Sequence, residues 1–141
     1  MPFRFLENVA IADAAYEAWD DTIEELFSEA ARAMMEIVVD TKTVDAKEER
    51  SVDLERDDVE TLLYAFLSEI IFLKDTEDML FSDFKVHIEG GHPFLLTARL
   101  YGDKIHRETR ALRSDIKAVT YYLFSVKQER GGWRATVVID I

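Results

Sequence analysis

Apolar residues recur at two different periods in this chain, and a fold that satisfies both must combine helices with a sheet. Ile23, Leu26, Phe27, Ala30, Met34 and Ile37 follow helical spacing and predict an amphipathic helix running to about Val38. Thr22-Ile23-Glu24-Glu25 in front of it is a capping-box pattern, with the Thr hydroxyl placed to accept from a first-turn N–H and Glu25 to reach back. Leu62, Leu63, Tyr64, Phe66, Leu67, Ile70, Ile71, Phe72 and Leu73 cover more than half the circumference of a second helix, capped by Asp57 or Asp58. That helix is expected to be central and packed on two sides.

From Met79 onward the period falls to two. Phe84, Val86 and Ile88 alternate with Lys85 and His87, Gly90-Gly91 turns the chain, and Phe94, Leu96, Ala98 and Leu100 continue on a partner strand. KAVTYYLFSVKQE and WRATVVIDI, joined by Glu129-Arg130-Gly131-Gly132, predict a second hairpin, with residues 103–115 as a weakly basic loop between the two. Shorter strands are expected at 3–6, near 14–19 and around Val52 and Leu54. Helices separated in sequence from a terminal antiparallel run predict an α+β fold, two helices on a mixed or largely antiparallel sheet with C-terminal hairpins. At 141 residues the expectation is a single domain, 1–141.

Composition narrows the chemistry. Cysteine is absent, which removes disulfides, thiolate metal sites and thiol nucleophiles. Acidic residues number 29 against 17 basic, a net charge of -12. Such a field repels a phosphate backbone, so a basic protein or a cation is the expected partner and direct nucleic-acid binding is not expected. Glu7, Asp13 and Glu17 interrupt any export-signal pattern, and Ser68 and Glu69 break the most apolar run, so a cytoplasmic protein with no membrane association is expected.

No phosphate loop, dinucleotide fingerprint, nucleophile elbow or zinc-helix motif is present. His87, His92 and His106 have no spacing that suggests a site and are expected to be solvated. Carboxylates are the abundant reactive group, and two are singled out by position. Asp140 lies in a C-terminal strand in which Trp133, Ala135, Val137, Ile139 and Ile141 form the core face and Arg134, Thr136, Val138 and Asp140 the other. The α-carboxylate of Ile141 follows it. Asp13 lies in the apolar segment IADAA. Carboxylates gathered together need a cation to neutralise them, and an oxygen-only set selects Ca²⁺, Mg²⁺ or Mn²⁺ over Zn²⁺. On the residues alone, the plainer reading is a turn cap at Asp13 and a solvated strand end at Asp140, because no spacing brings the two together.

The run FLENVAIADAAYEAWDDTIEELFSEAARAMMEIVVD, the KAVTYY segment and the terminal VVIDI together resemble archease, the small acidic protein that assists the tRNA-splicing RNA ligase. The likeness spans nearly the whole chain. In that family a Glu-His-Thr-Ala-Asp motif precedes a short strand and a Leu-Glu-Glu helix start. Here Glu7 and Ala10 match, Asp13 matches after the two-residue insertion Ile11-Ala12, and Thr22-Ile23-Glu24-Glu25 matches the helix start. The resemblance implies a divalent-cation site of Asp13, Asp140 and the Ile141 carboxylate. By the same likeness the chain is not itself an enzyme but an activator, promoting guanylylation of the ligase histidine and its turnover. Two family histidines are replaced, by Asn8 and Tyr122. The rival readings are a metal-independent chaperone or adaptor of RNA-modifying enzymes, and a metal-dependent phosphohydrolase.

Overall fold

A computed structural model describes residues 2–7, 13–106 and 111–141 of the protein. Its elements, in chain order, are strands β1 (Phe3–Leu6) and β2 (Asp13–Asp20), helix α1 (Ile23–Val38), strand β3 (Glu48–Arg56), helix α2 (Val59–Glu77), and strands β4 (Met79–Gly90), β5 (Phe94–Lys104), β6 (Ala118–Glu129) and β7 (Gly132–Asp140). The α+β class expected from the two periods is observed. The strands, however, divide into two sheets, one ordered β1-β2-β7-β6 and the other β3-β5-β4. Every pairing within them is antiparallel.

Each helix packs against strands of both sheets: α1 on β2, β7 and β4, and α2 on β6, β3 and β4. A helix touched from two sides needs an apolar surface wider than a single stripe, and α2 buries Leu62, Leu63, Phe66, Leu67, Ile70 and Ile71. Phe27 of α1 stacks on Phe66 of α2 with ring centroids 5.9 Å apart, where the helices meet. One cluster of buried apolar side chains draws on both helices and both sheets. Burial of each large member stabilises the fold by roughly 1.5–3 kcal/mol relative to exposure.

The helix starts follow the sequence closely. Thr22 Oγ1 accepts from the Glu25 N–H at 3.1 Å and donates to Glu25 Oε1 at 3.0 Å, so Glu25 reaches back to the capping hydroxyl. Asp58, not Asp57, caps α2, accepting from the Thr61 N–H at 2.8 Å. The end of α1 has no basic residue of its own. Its carbonyls are met instead by a distant segment: the Arg113 and Ser114 N–H groups donate to Val38 and Ile37, and the Arg113 guanidinium donates to the Glu36 carbonyl at 2.7 Å.

Candidate metal centre at the β2–β7 pair

Strand β2 comes near the start of the sequence and β7 at its end, yet they are neighbours in the centre of the four-stranded sheet. Their register sets Tyr16 opposite Val137 and Ala18 opposite Ala135, all fully buried on the core side. The same register sets Asp13 directly opposite Asp140. Because side chains alternate with a period of two, both carboxylates share the face turned away from the core, with Ala15, Glu17, Val138 and Thr136. The core face of β7 is as expected, and Val138 on the other face is also fully buried.

Asp140 has a second neighbour, Ala118 of β6, and its carbonyl accepts from the Lys117 N–H at 2.8 Å. The backbone of the last strand residue is thus held from both sides. Asp13 and Asp140 are each half-buried, and the Ile141 side chain packs on the edge of the core. Like charges placed directly across an antiparallel pair destabilise it unless something neutralises them. Farther along the same face, carboxylates have such partners. Glu17 is flanked by Arg4 at 2.5 Å and Arg134 at 3.6 Å, and Arg134 also meets Glu129 at 3.1 Å while lying 5.1 Å above the Trp19 ring. Among the described residues no lysine or arginine pairs with Asp13 or Asp140.

The donor set fits a hard cation as far as two side chains go: both are carboxylates, both on one face, in direct register. Among the described residues no group of three or more His, Asp or Glu side chains is gathered for a metal. Asn8 and the Ile11-Ala12 insertion lie outside the described residues. All three histidines are exposed. His87 lies 3.1 Å from Glu89 and 3.7 Å from Glu24, His106 lies 3.5 Å from Asp103, and His92 occupies the β4–β5 turn.

Two features were missed in the sequence. Between Thr120, opposite Val138, and Ser125, opposite Thr136, the register of β6 shifts, so that Tyr121, Tyr122, Leu123 and Phe124 bulge where β7 supplies only Val137. In the structure Val119 and Val126 both face the core, and an odd spacing of seven cannot place both there along a regular strand, but the apolar run between them reads in the sequence as ordinary strand. The second is Lys74, 3 % exposed near the end of α2, whose ammonium donates to Asp75 at 2.5 Å and Asp115 at 2.9 Å. Burial opposes its charge, but the bonds to Asp115 and Asp75 outweigh this and hold its pKa above the ordinary lysine value. The helical period of α2 marked the position as inward but carried no sign of its partners.

Comparison with known proteins agrees with the fold described above. The profile of the Archease protein family matches residues 3–141. The protein archease of Methanothermobacter thermautotrophicus is 40% identical over 140 residues, covering 99% of this chain and 98% of its own. That of Pyrococcus furiosus is 37% identical over 134 residues, covering 92% and 93%. The solution structure of a Methanobacterium thermoautotrophicum protein superposes with a TM-score of 0.88 at 38% identity, covering 99% of each chain. The crystal structure of a Thermotoga maritima archease, described as a possible chaperone, shares the fold with a TM-score of 0.61 at 24% identity over 94% of this chain and 93% of that one.

Proposed function

The chain belongs to the archease family, and from that premise we propose that it is a cytoplasmic, non-catalytic activator of the tRNA-splicing RNA ligase, working through a divalent cation held by Asp13, Asp140 and the Ile141 carboxylate. The observation that supports this reading best is the register that sets Asp13 opposite Asp140. Two aspartates far apart in the sequence stand in register on one face, and among the described residues neither has a basic partner. A bound Ca²⁺, Mg²⁺ or Mn²⁺ would neutralise the pair and leave coordination positions open toward a partner.

The residues around the pair define what this chain contributes. β2 and β7 carry the two aspartates on the central pair of strands rather than on a loop, which supports a preorganised pair. Ala118, opposite Asp140 on β6, is small and exposed, while Ala15 and Val138 on the same face are buried. None of these is a base or a phosphate-binding cation, which disfavours the phosphohydrolase reading. The acidic balance suits docking on a basic RNA-handling enzyme and keeps the activator itself off the RNA. In this reading, activation is faster guanylylation of the ligase histidine and restored turnover.

The test is single-turnover guanylylation of the cognate ligase with the wild-type protein and with Asp140→Asn, across a Mn²⁺ series, alongside the melting temperature of each protein with and without Ca²⁺, Mg²⁺ or Mn²⁺. The expected result is stimulation by wild type, little by the variant, and a cation-dependent rise in melting temperature that only wild type shows. The cation-free variant should melt at or slightly above wild type, because the substitution removes a like-charge pair. Equal stimulation by both proteins would replace the metal reading with a metal-independent adaptor. No stimulation by either would remove the activator reading.

A further inference from the structure

The bulge in β6 carries three consecutive large side chains into solvent: Tyr121 is 65% exposed, Tyr122 57% and Leu123 53%. Exposure of this kind is costly, and Leu123 adds strain, since its φ of 56° lies in the left-handed region that a branched-chain residue seldom occupies. The bulge is nevertheless held firmly. The Tyr64 hydroxyl on α2 donates to the Val119 carbonyl at 3.0 Å, just where the pairing with β7 breaks, and the Tyr64 ring stacks on Tyr121 with centroids 4.0 Å apart and planes 4° from parallel. Phe124 meets both rings edge-on. A rigid platform results, with one face of Tyr121 against Tyr64 and the other open.

Tyr64 and Tyr121 form one wall of an open groove of about 600 Å³ between α2 and the end of β3. Its rim carries Asp57, Asp58 and Glu69. Arg56 also lines it, its guanidinium donating to the neighbouring Glu55 carbonyl at 2.7 Å, so the charged lining is three carboxylates against one guanidinium. An exposed tyrosine face beside several carboxylates recognises a flat, delocalised cation that can stack on the ring and fork to an oxygen pair, which describes a guanidinium better than an ammonium. The acidic rim disfavours nucleic acid and anionic lipid alike.

We propose that this groove docks an arginine-bearing, positively charged segment of a protein partner, with one guanidinium stacked on Tyr121 and the segment's positive charges spread along the groove between the Asp57 carboxylate at one end and the Glu69 carboxylate at the other. The site is distinct from the Asp13 and Asp140 pair and stands whether or not that pair holds a metal.

The probe is a capped peptide, Gly-Ser-Arg-Gly-Arg-Ser-Gly, titrated into the isotopically labelled full chain and followed by amide chemical shifts, with a Gln-for-Arg peptide as control. Shifts are expected to concentrate in 54–69 and 119–125 and to be lost with the Gln peptide. Tyr121→Ala is expected to weaken binding by roughly fivefold, while Tyr121→Phe, which keeps the ring, retains it. Asp57→Asn combined with Glu69→Gln is expected to weaken it at least as much. Tyr121 is mostly exposed, and the unperturbed remainder of each variant's spectrum verifies its fold. Shifts spread over the whole acidic surface, or equal affinity of wild type and Tyr121→Ala, would overturn the proposal. So would shifts at the same residues on raising protein concentration without peptide, which would make a second copy of the chain the occupant.

Discussion

Tyr16 shows how a single side chain ties the candidate centre to the core. It sits on the inward face of β2, three residues from Asp13, is fully buried, and donates its hydroxyl to the Ala30 carbonyl of α1 at 2.8 Å. That carbonyl lies mid-helix, so the phenol anchors β2 to α1 rather than rescuing an orphaned group. Burial pushes the phenol well above its ordinary pKa and keeps it neutral in the folded state. A raised folded-state value means that its share of stability is intact below the unfolded value of 10.0 and is lost as pH rises beyond it, because only the unfolded chain ionises there. Tyr16→Phe is therefore expected to cost about 1 kcal/mol at neutral pH in urea unfolding, and to shallow the decline in stability above pH 10.0. An unchanged alkaline decline would mean that another group governs it.

Among the elements, α2 is the one most closely set by local sequence chemistry. Asp58 accepts from the Thr61 N–H and the Thr61 hydroxyl, and these bonds hold its carboxyl below the usual aspartate value of 3.8. With a depressed folded-state value, the stabilisation is present above 3.8 and is lost as pH falls through the lower folded value. Asp58→Ala should cost about 1 kcal/mol at neutral pH, and the gap from wild type should close in acid, as measured by denaturation at a series of pH values. Both helices, both hairpins and the capping residues were legible because each depends on residues a few positions apart. The bulge at Tyr121–Phe124 was hidden inside an apolar run that reads as ordinary strand. The division into two sheets was hidden too, because partner choice among distant strands depends on how the helices fill the space between them.

Across the whole molecule, the pairing of β2 with β7 is what the sequence could not show. The two carboxylates could be named from their positions, but their juxtaposition depends on a register set by the core-side pairs Tyr16 with Val137 and Ala18 with Ala135. A slip of one residue would send both Asp13 and the buried set to the wrong faces, so packing enforces the register and the carboxylates follow it. The net charge of -12 acts on the same scale. Self-repulsion among exposed carboxylates is screened by salt, and moderate NaCl is expected to raise the melting temperature. The rise should be smaller in a variant with several exposed acids neutralised; a fall with salt would mean that ion pairs such as Arg50 with Glu77 outweigh the repulsion.

The central seam of the four-stranded sheet also has a consequence in time. During synthesis β2 emerges early and must wait through almost the entire chain before the strand that completes it leaves the ribosome. Until then its hydrogen-bonding edge is open and Asp13 faces no counterpart. A prematurely terminated product would carry most of the core yet have no β7 to close the seam. In such a product the pairing that closes the sheet and the pairing that assembles the two carboxylates are absent together.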